Sequence, residues 1–435
     1  MSLKKSLIKN TGFNLAGYFY LLIASFFSIS ILLQHLGRDV FGIYIFLASF
    51  IALSSVFDLG ISNAVVRKLS LPQTNREEKV AIWKTSFSIF ISIGFLLFAT
   101  VSALLLFLSK TLQIFSHIDS STLSWSILLI AIIVFVNFIN NHFLTLPQAE
   151  QRFDVFNSKT LLVGTSNTLI SALIAFNYPN IAAIFAAQLV FHLLTFIYLA
   201  HYCYRVFPGP NFNPLYSRDS GRELFSFGIK NFVGTMAGQI ESQFSNYVLG
   251  AMVSAQSITS FNIPQSIVTK GAGIVSQFAQ AFFPLSASLL EKDRIHKLKK
   301  LVIGVEALTL LGGIIAVILT FTVGQEFLAW WLKDPIIVQS SFPILKILSF
   351  YFLLVSLTPV PTVLIQAINK PQIPSFFALL TVGIEIVMSL VLVPKFHALG
   401  VAYAFLISTV ISVPLFIGVS WHLFQKEIKK TLSLP

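Results

Sequence analysis

The chain has 435 residues, 55% of them hydrophobic and only 11% charged, which excludes a water-soluble domain. A net charge of +12 would suit nucleic acid, but the basic residues are scattered along the chain and form no compact basic domain, so no nucleic-acid partner is expected. Cys203 is the single cysteine, which excludes intrachain disulfides and cysteine metal clusters.

Twelve hydrophobic runs follow in order: Thr11–His35, Val40–Val66, Val80–Ser109, Thr122–Leu146, Phe156–Tyr178, Ile181–Tyr204, Leu224–Gly250, Ser257–Leu290, Leu301–Val323, Ser341–Gln366, Ile373–Val393 and Leu399–Phe424. A run of about 20 apolar residues crosses a bilayer as a helix, which satisfies its own backbone hydrogen bonds there. The N-terminus and every second gap collect most of the basic residues, including Lys4, Arg67, Lys79, Lys159, Arg218, Lys230, Lys297 and Lys429. The other side holds Arg38, Lys110, Lys333 and Lys395. Basic loops stay in the cytoplasm, so both termini are expected inside. The first run lacks a convincing cleavage site after it and reads as a retained helix. Trp83 and Trp421 fall at cytoplasmic ends and Trp125, Trp330 and Trp331 at outer ends, where interfacial anchors belong.

The longest polar interval, about Arg205 to Glu223, contains Pro208, Gly209, Pro210 and Pro214. It predicts an N-terminal six-helix bundle over 1–204, a cytoplasmic linker over 205–222 and a C-terminal six-helix bundle over 223–435. The halves echo each other: Lys9-Asn10 precedes Gly17 with the spacing by which Lys230-Asn231 precedes Gly238. An even number of helices per half makes the repeats parallel. The outer loops are short and leave no room for a catalytic domain. Pro359 and Pro361 interrupt the tenth run, Pro264 and Pro284 flank the centre of the eighth, and Pro414 breaks the twelfth.

An ionisable side chain at membrane depth costs roughly 2.5–3.5 kcal/mol, so each one asks for a reason. Lys270 sits mid-run, and Ser266, Lys270, Gly273 and Gln277 fall on one helical stripe. It either contacts an anion in a central cavity or pairs structurally with Glu241 or Glu306. The seventh run, with Lys230, Asn231, Gln239, Glu241, Ser242, Gln243, Ser245 and Asn246, is too polar to face lipid. Glu241 is either a proton site or the partner of Lys270. Glu385 is either a proton-coupling group or a hydrogen-bonded structural acid. Asp58 and Glu306 lie nearer the cytoplasmic ends, where loop cations could pair with them, and Lys346 is close enough to the outer end to snorkel. His142 and His192 lack metal-ligand spacing and read as packing or hydrogen-bonding residues. No phosphate loop, HExxH or Gly-x-Ser-x-Gly motif occurs, and no catalytic residue, metal or cofactor is expected.

The run Leu36-Gly37-Arg38-Asp39-Val40-Phe41-Gly42-Ile43-Tyr44, then Asp58-Leu59-Gly60-Ile61-Ser62-Asn63-Ala64 and Arg67, resembles the N-terminal signature of bacterial polysaccharide flippases. These are Wzx-type translocases of O-antigen and capsule repeat units in the multidrug/oligosaccharidyl-lipid/polysaccharide exporter superfamily. Phe261-Asn262-Ile263-Pro264, Phe282-Phe283-Pro284-Leu285-Ser286 and Gln366-Ala367-Ile368-Asn369-Lys370-Pro371 extend the likeness over essentially the whole chain. The resemblance implies an all-α polytopic membrane protein with about 12 transmembrane helices in two pseudo-symmetric six-helix bundles around a central cavity. It also implies an undecaprenyl-pyrophosphate-linked oligosaccharide as cargo, membrane lipid around it, and a polysaccharide polymerase and a chain-length regulator as partners. Lys270, Lys230 and Arg67 are the candidate pyrophosphate contacts, Gln239, Gln243, Asn246 and Gln277 the candidate sugar contacts, and Glu241 and Glu385 the candidate coupling groups. A multidrug antiporter of the same superfamily and a membrane-embedded polymerase are the alternatives.

Overall fold

The computed structural model describes residues 3–281, 295–368 and 370–433; at 3–15, 53, 229–235, 278, 280–281, 295–299 and 428–433 it describes the backbone alone. Among the described residues every regular element is helical. The α-helices are α1 Leu3–Leu36, α2 Arg38–Leu53, α3 Ile61–Ser70, α4 Arg76–Thr111, α5 Ser120–Ala149, α6 Phe153–Thr165, α7 Ser171–Asn177, α8 Ile181–Val206, α9 Arg218–Met252, α10 Ala255–Ala281, α11 Ile295–Leu332, α12 Pro335–Val355, α13 Pro359–Ala367, α14 Gln372–Phe396 and α15 Ala398–Ser433. Two compact units divide the chain, Met1–Gln239 and Ile240–Pro435.

Ten single or broken helices among the described residues are long and apolar enough to cross a membrane, which makes this a multi-pass membrane protein. The expected count of about twelve is met only roughly. The seventh and eighth runs, α9 and α10, are missing from the ten because amide, hydroxyl and charged side chains interrupt their apolar sequence.

Several runs depart from the single helices expected of them. The second breaks into α2 and α3 at a short 3-10 turn, Val56–Asp58. Leu59 and Gly60 carry φ of 51° and 73°, which ends one helix and re-aims the chain. Asp58 restarts it, because its Oδ1 accepts the Ser62 amide at 3.1 Å and the Ser62 hydroxyl at 2.8 Å. Gly60 lies backbone to backbone against Gly228, so a Cβ at either position would collide with the other segment. Lys68 pairs with Glu223 beside it, and the Arg67 guanidinium sits 4.6 Å from the Phe227 ring centroid. The fifth run passes from α6 to α7 through a π-turn, Ser166–Ile170, where Ser171 Oγ donates to the Ser166 carbonyl. The tenth breaks between α12 and α13, with Pro359 at the first position of the new helix, as its prolines predict. Pro414 corrects the prediction for the twelfth run: α15 continues through it, as α10 continues through Pro264. A membrane helix can carry an interior proline where the freed carbonyl finds another donor. Pro284 lies outside the described residues.

In the first unit α5 is the hub, packed by α2, α3, α4, α6 and α8. Asp119 caps it by accepting the Thr122 amide at 2.7 Å, a bond that also holds the Asp119 carboxyl below the usual carboxylate range. Trp83 is fully buried among His142, Phe143, Phe207 and Phe212, with ring centroids 4.3 to 6.2 Å away. This corrects the expectation that Trp83 anchors an interface; the polar interval after α8 lays Phe207 and Phe212 over it. That interval is also stitched to α4, since the Leu215 amide donates to the Lys84 carbonyl at 3.2 Å and the Ser217 amide to Thr85 Oγ1 at 3.1 Å. Trp331 is likewise buried, whereas Trp125 and Trp330 are exposed. In the second unit α12 packs α10, α11 and α15, and α14 packs α15.

Gly37 and Gly60 both need positive φ, but a Cβ on Gly37 would meet nothing within 4 Å. Gly37→Ala should therefore cost about 1–3 kcal/mol of backbone strain alone, because its φ of 78° and ψ of 169° lie in a region essentially open to glycine only. Gly60→Ala should cost clearly more, because the Gly228 backbone must also move. Thermal unfolding midpoints of the purified variants check this order, and equal midpoints would contradict it.

Candidate functional site

A cavity of about 380 Å³ lies within the first unit. Two apolar helices reach it with polar residues four apart, which share one face: Asn137 and Asn141 on α5, Gln188 and His192 on α8. Tyr44 on α2 and Ser54 at its end supply hydroxyls, the π-turn supplies Asn167, and α6 supplies the half-buried Lys159. The group is held together by hydrogen bonds. Gln188 Nε2 donates to the Tyr44 hydroxyl at 3.0 Å and to Ser171 Oγ at 2.9 Å, and Asn137 Nδ2 donates to Ser54 Oγ at 3.1 Å. Asn140 Nδ2 reaches back to the His192 carbonyl at 3.1 Å and holds α5 on α8. Lys159 is the cation among these lining groups and lies close enough to His192 to interact with it electrostatically. A cation among neutral amides and hydroxyls can bind an anionic, hydroxyl-rich solute, since an ionised partner roughly doubles the strength of a hydrogen bond.

The second unit gathers two acids about one tyrosine. The Tyr351 hydroxyl donates to Glu241 Oε1 at 3.2 Å. Glu385 is fully buried, and neither of its carboxylate oxygens has a hydrogen-bond partner among the described residues. Both acids lie within electrostatic reach of Tyr351. The two candidate coupling groups thus converge on one tyrosine that sequence reading did not single out.

The other candidates are placed as follows. Gln239 lines the first-unit cavity. Gln243, Asn246 and Asn262 form a chain: Asn246 Nδ2 donates to Gln243 Oε1 and Asn262 Nδ2 to Asn246 Oδ1, each at 3.3 Å. Lys270 is half-buried on α10, next to Gly271, where a Cβ would press on the Phe352 ring at 3.1 Å. Of its stripe, Ser266 and Gly273 are half-buried and Gln277 is exposed. Arg67 is exposed and engaged with Phe227. The Lys230 side chain lies outside the described residues. Lys346 lies 4.3 Å from the Phe342 ring centroid. Sequence reading missed Lys159 by assigning it to a basic loop, although the fifth run, which begins at Phe156, already enclosed it. It passed over His192 as solitary, although the i, i+4 pair with Gln188 was legible on an apolar helix.

The chain matches the family described as polysaccharide biosynthesis protein over residues 7–290. It is 22% identical over 423 residues to a provisionally named O-antigen transporter of Shigella flexneri, covering 93% of this chain and 96% of that one. Among solved structures it is similar to the lipid II flippase MurJ in an inward closed conformation, at TM-score 0.71 and 16% identity over 97% of this chain and 90% of that one. It is similar as well to an inward-facing multidrug resistance transporter of the MATE family in the MOP superfamily, at TM-score 0.69 and 14% identity over 97% and 96% of the two chains. These likenesses establish the fold as that of MOP-superfamily transporters.

Gln188→Leu keeps the side-chain size but strips the Tyr44 and Ser171 hydroxyls of their shared donor. The loss of a buried donor to both oxygens should lower stability by about 1–3 kcal/mol, read as a lower unfolding midpoint. An unchanged midpoint would show that the cavity wall does not depend on this bond.

Proposed function

The chain belongs to the polysaccharide biosynthesis protein family, and from that premise we propose that it flips lipid-linked oligosaccharides across a membrane as a transporter, not an enzyme. The cargo is a polyprenyl-pyrophosphate-linked repeat unit for O-antigen, capsule or exopolysaccharide. It moves outward across the cytoplasmic (inner) membrane, and both termini of the protein are cytoplasmic. A pyrophosphate and a hydrated glycan cannot cross hydrocarbon unaided, because each unpaired polar group costs several kcal/mol there. The observation that carries the reading is the first-unit cavity, where Lys159 stands among amides and hydroxyls inside an apolar helical shell. The lysine attracts the phosphates and the amides replace water around the sugar hydroxyls.

Lys270, Lys230 and Arg67 extend the anion path in this proposal, and Gln239, Gln243, Asn246 and Gln277 extend the sugar contacts. Glu241 and Glu385 couple transport to an ion. The halves 1–204 and 223–435, joined by 205–222, serve as the two six-helix bundles of an alternating-access cycle. A polymerase and a chain-length regulator receive the delivered units. The MATE-like fold allows a second reading, drug efflux, but a cavity whose charged lining group is a lysine repels cationic drugs.

Deleting the gene from its host should abolish surface polysaccharide and leave lipid-linked repeat units on the inner leaflet. Complementation with Lys159→Ala or Lys270→Ala should restore export at least about tenfold less well than wild type, one charge-assisted contact's worth. Lys159→Arg should retain most of it. Undiminished polysaccharide in the deletion strain, or full export by membrane-resident Lys159→Ala, would overturn the assignment.

A further inference from the structure

A second cavity, of about 290 Å³, lies wholly within the second unit between α11, α13 and α15. Its walls are almost entirely apolar and include Val302, Leu310, Val360, Leu364 and Trp421. Two polar groups interrupt them. Glu306 Oε2 and Ser420 Oγ are both shielded from solvent, and neither has a hydrogen-bond partner among the described residues. The adjoining core includes Ala279, Val302, Val360, Val363, Leu364 and Phe424. A carboxylate oxygen shielded in such walls is a strong hydrogen-bond acceptor.

The helices around the cavity belong to segments apolar enough to cross a membrane, and its apolar walls suit an occupant that partitions into lipid. Charge complementarity fixes the polar end of that occupant. A fatty acid would place a second anion on Glu306, and an alcohol would offer one neutral donor. An ammonium offers three donors and a full positive charge, and it gains further from the indole face. We propose that this cavity binds a lipophilic primary amine, whose ammonium bonds Glu306 and Ser420 while its hydrocarbon body fills the space along Val302, Val360 and Leu364. The proposal does not depend on the flippase reading. Its volume sits at the lower end of the range for drug-sized pockets, about 300–1,000 Å³, which suits a single-chain amine rather than a two-chain lipid.

The test uses full-length protein in phosphatidylcholine nanodiscs and three diazirine-bearing decyl probes, an amine, an alcohol and a carboxylic acid, with labelled peptides mapped by mass spectrometry. The amine should label residues 302–310, 360–364 and 417–421 about tenfold more than the alcohol, the ratio that one charge-assisted hydrogen bond yields. Decylamine should compete that labelling away, and the acid should label least. Glu306→Gln should bring amine labelling down to the level of the alcohol. Leu364→Trp, which fills the cavity without touching the carboxylate, should abolish labelling by amine and alcohol alike. Equal labelling by amine and alcohol, or amine labelling that survives both substitutions, would reduce the cavity to general hydrocarbon partition and overturn the proposal.

Discussion

Gln188 holds one amide nitrogen between the Tyr44 hydroxyl and Ser171 Oγ, and with that contact it keeps polar groups from three segments satisfied inside an apolar unit. Water is scarce at membrane depth, so a polar side chain there must find a protein partner or line a solvated space. The first unit meets the constraint in both ways. Some groups are paired across helices, as Asn137 with Ser54 and Asn140 with the His192 carbonyl, and the rest face the cavity around Lys159. A chain built only to span lipid would not carry this set. The π-turn after α6 belongs to the same device, because it brings Asn167 to the cavity and Ser171 to Gln188.

The two units treat charge differently. The first has a lysine among neutral hydrogen-bonding groups, which suits phosphate and sugar. The second gathers Glu241 and Glu385 about Tyr351 and sets Glu306 in an apolar cavity. Anions bound by the first kind of site would be repelled by the second. The proposed mechanism therefore assigns cargo recognition and ion coupling to different side chains, with Tyr351 beside both acids.

Much of the fold was legible in the sequence because one force dominates it. Apolar runs of sufficient length become helices in a membrane, and the broken tenth run followed from Pro359. The second run could not be read as two helices, because its break depends on Gly60 meeting Gly228, a contact between distant segments. Trp83 was misplaced for the same kind of reason, since Phe207 and Phe212 return to cover it. At the candidate site, Glu241 and Glu385 were visible as costly residues, but their common neighbour Tyr351 was not, because tyrosine is ordinary in a membrane helix. Lys159 was obscured by an assumption that lysines beside loops belong to loops. Helical spacing within the run, with Asn167 eight residues on, pointed inward.

Above all, this fold is proposed to carry a pyrophosphate-linked glycan through lipid. Vesicles containing the purified protein and a fluorescent polyprenyl-pyrophosphate oligosaccharide test it most directly, with glycan at the opposite face detected by an impermeant lectin. Glycan should appear there much faster than in protein-free vesicles. Folded protein that leaves this rate at the protein-free level, while moving cationic dyes through the same vesicles, would contradict it.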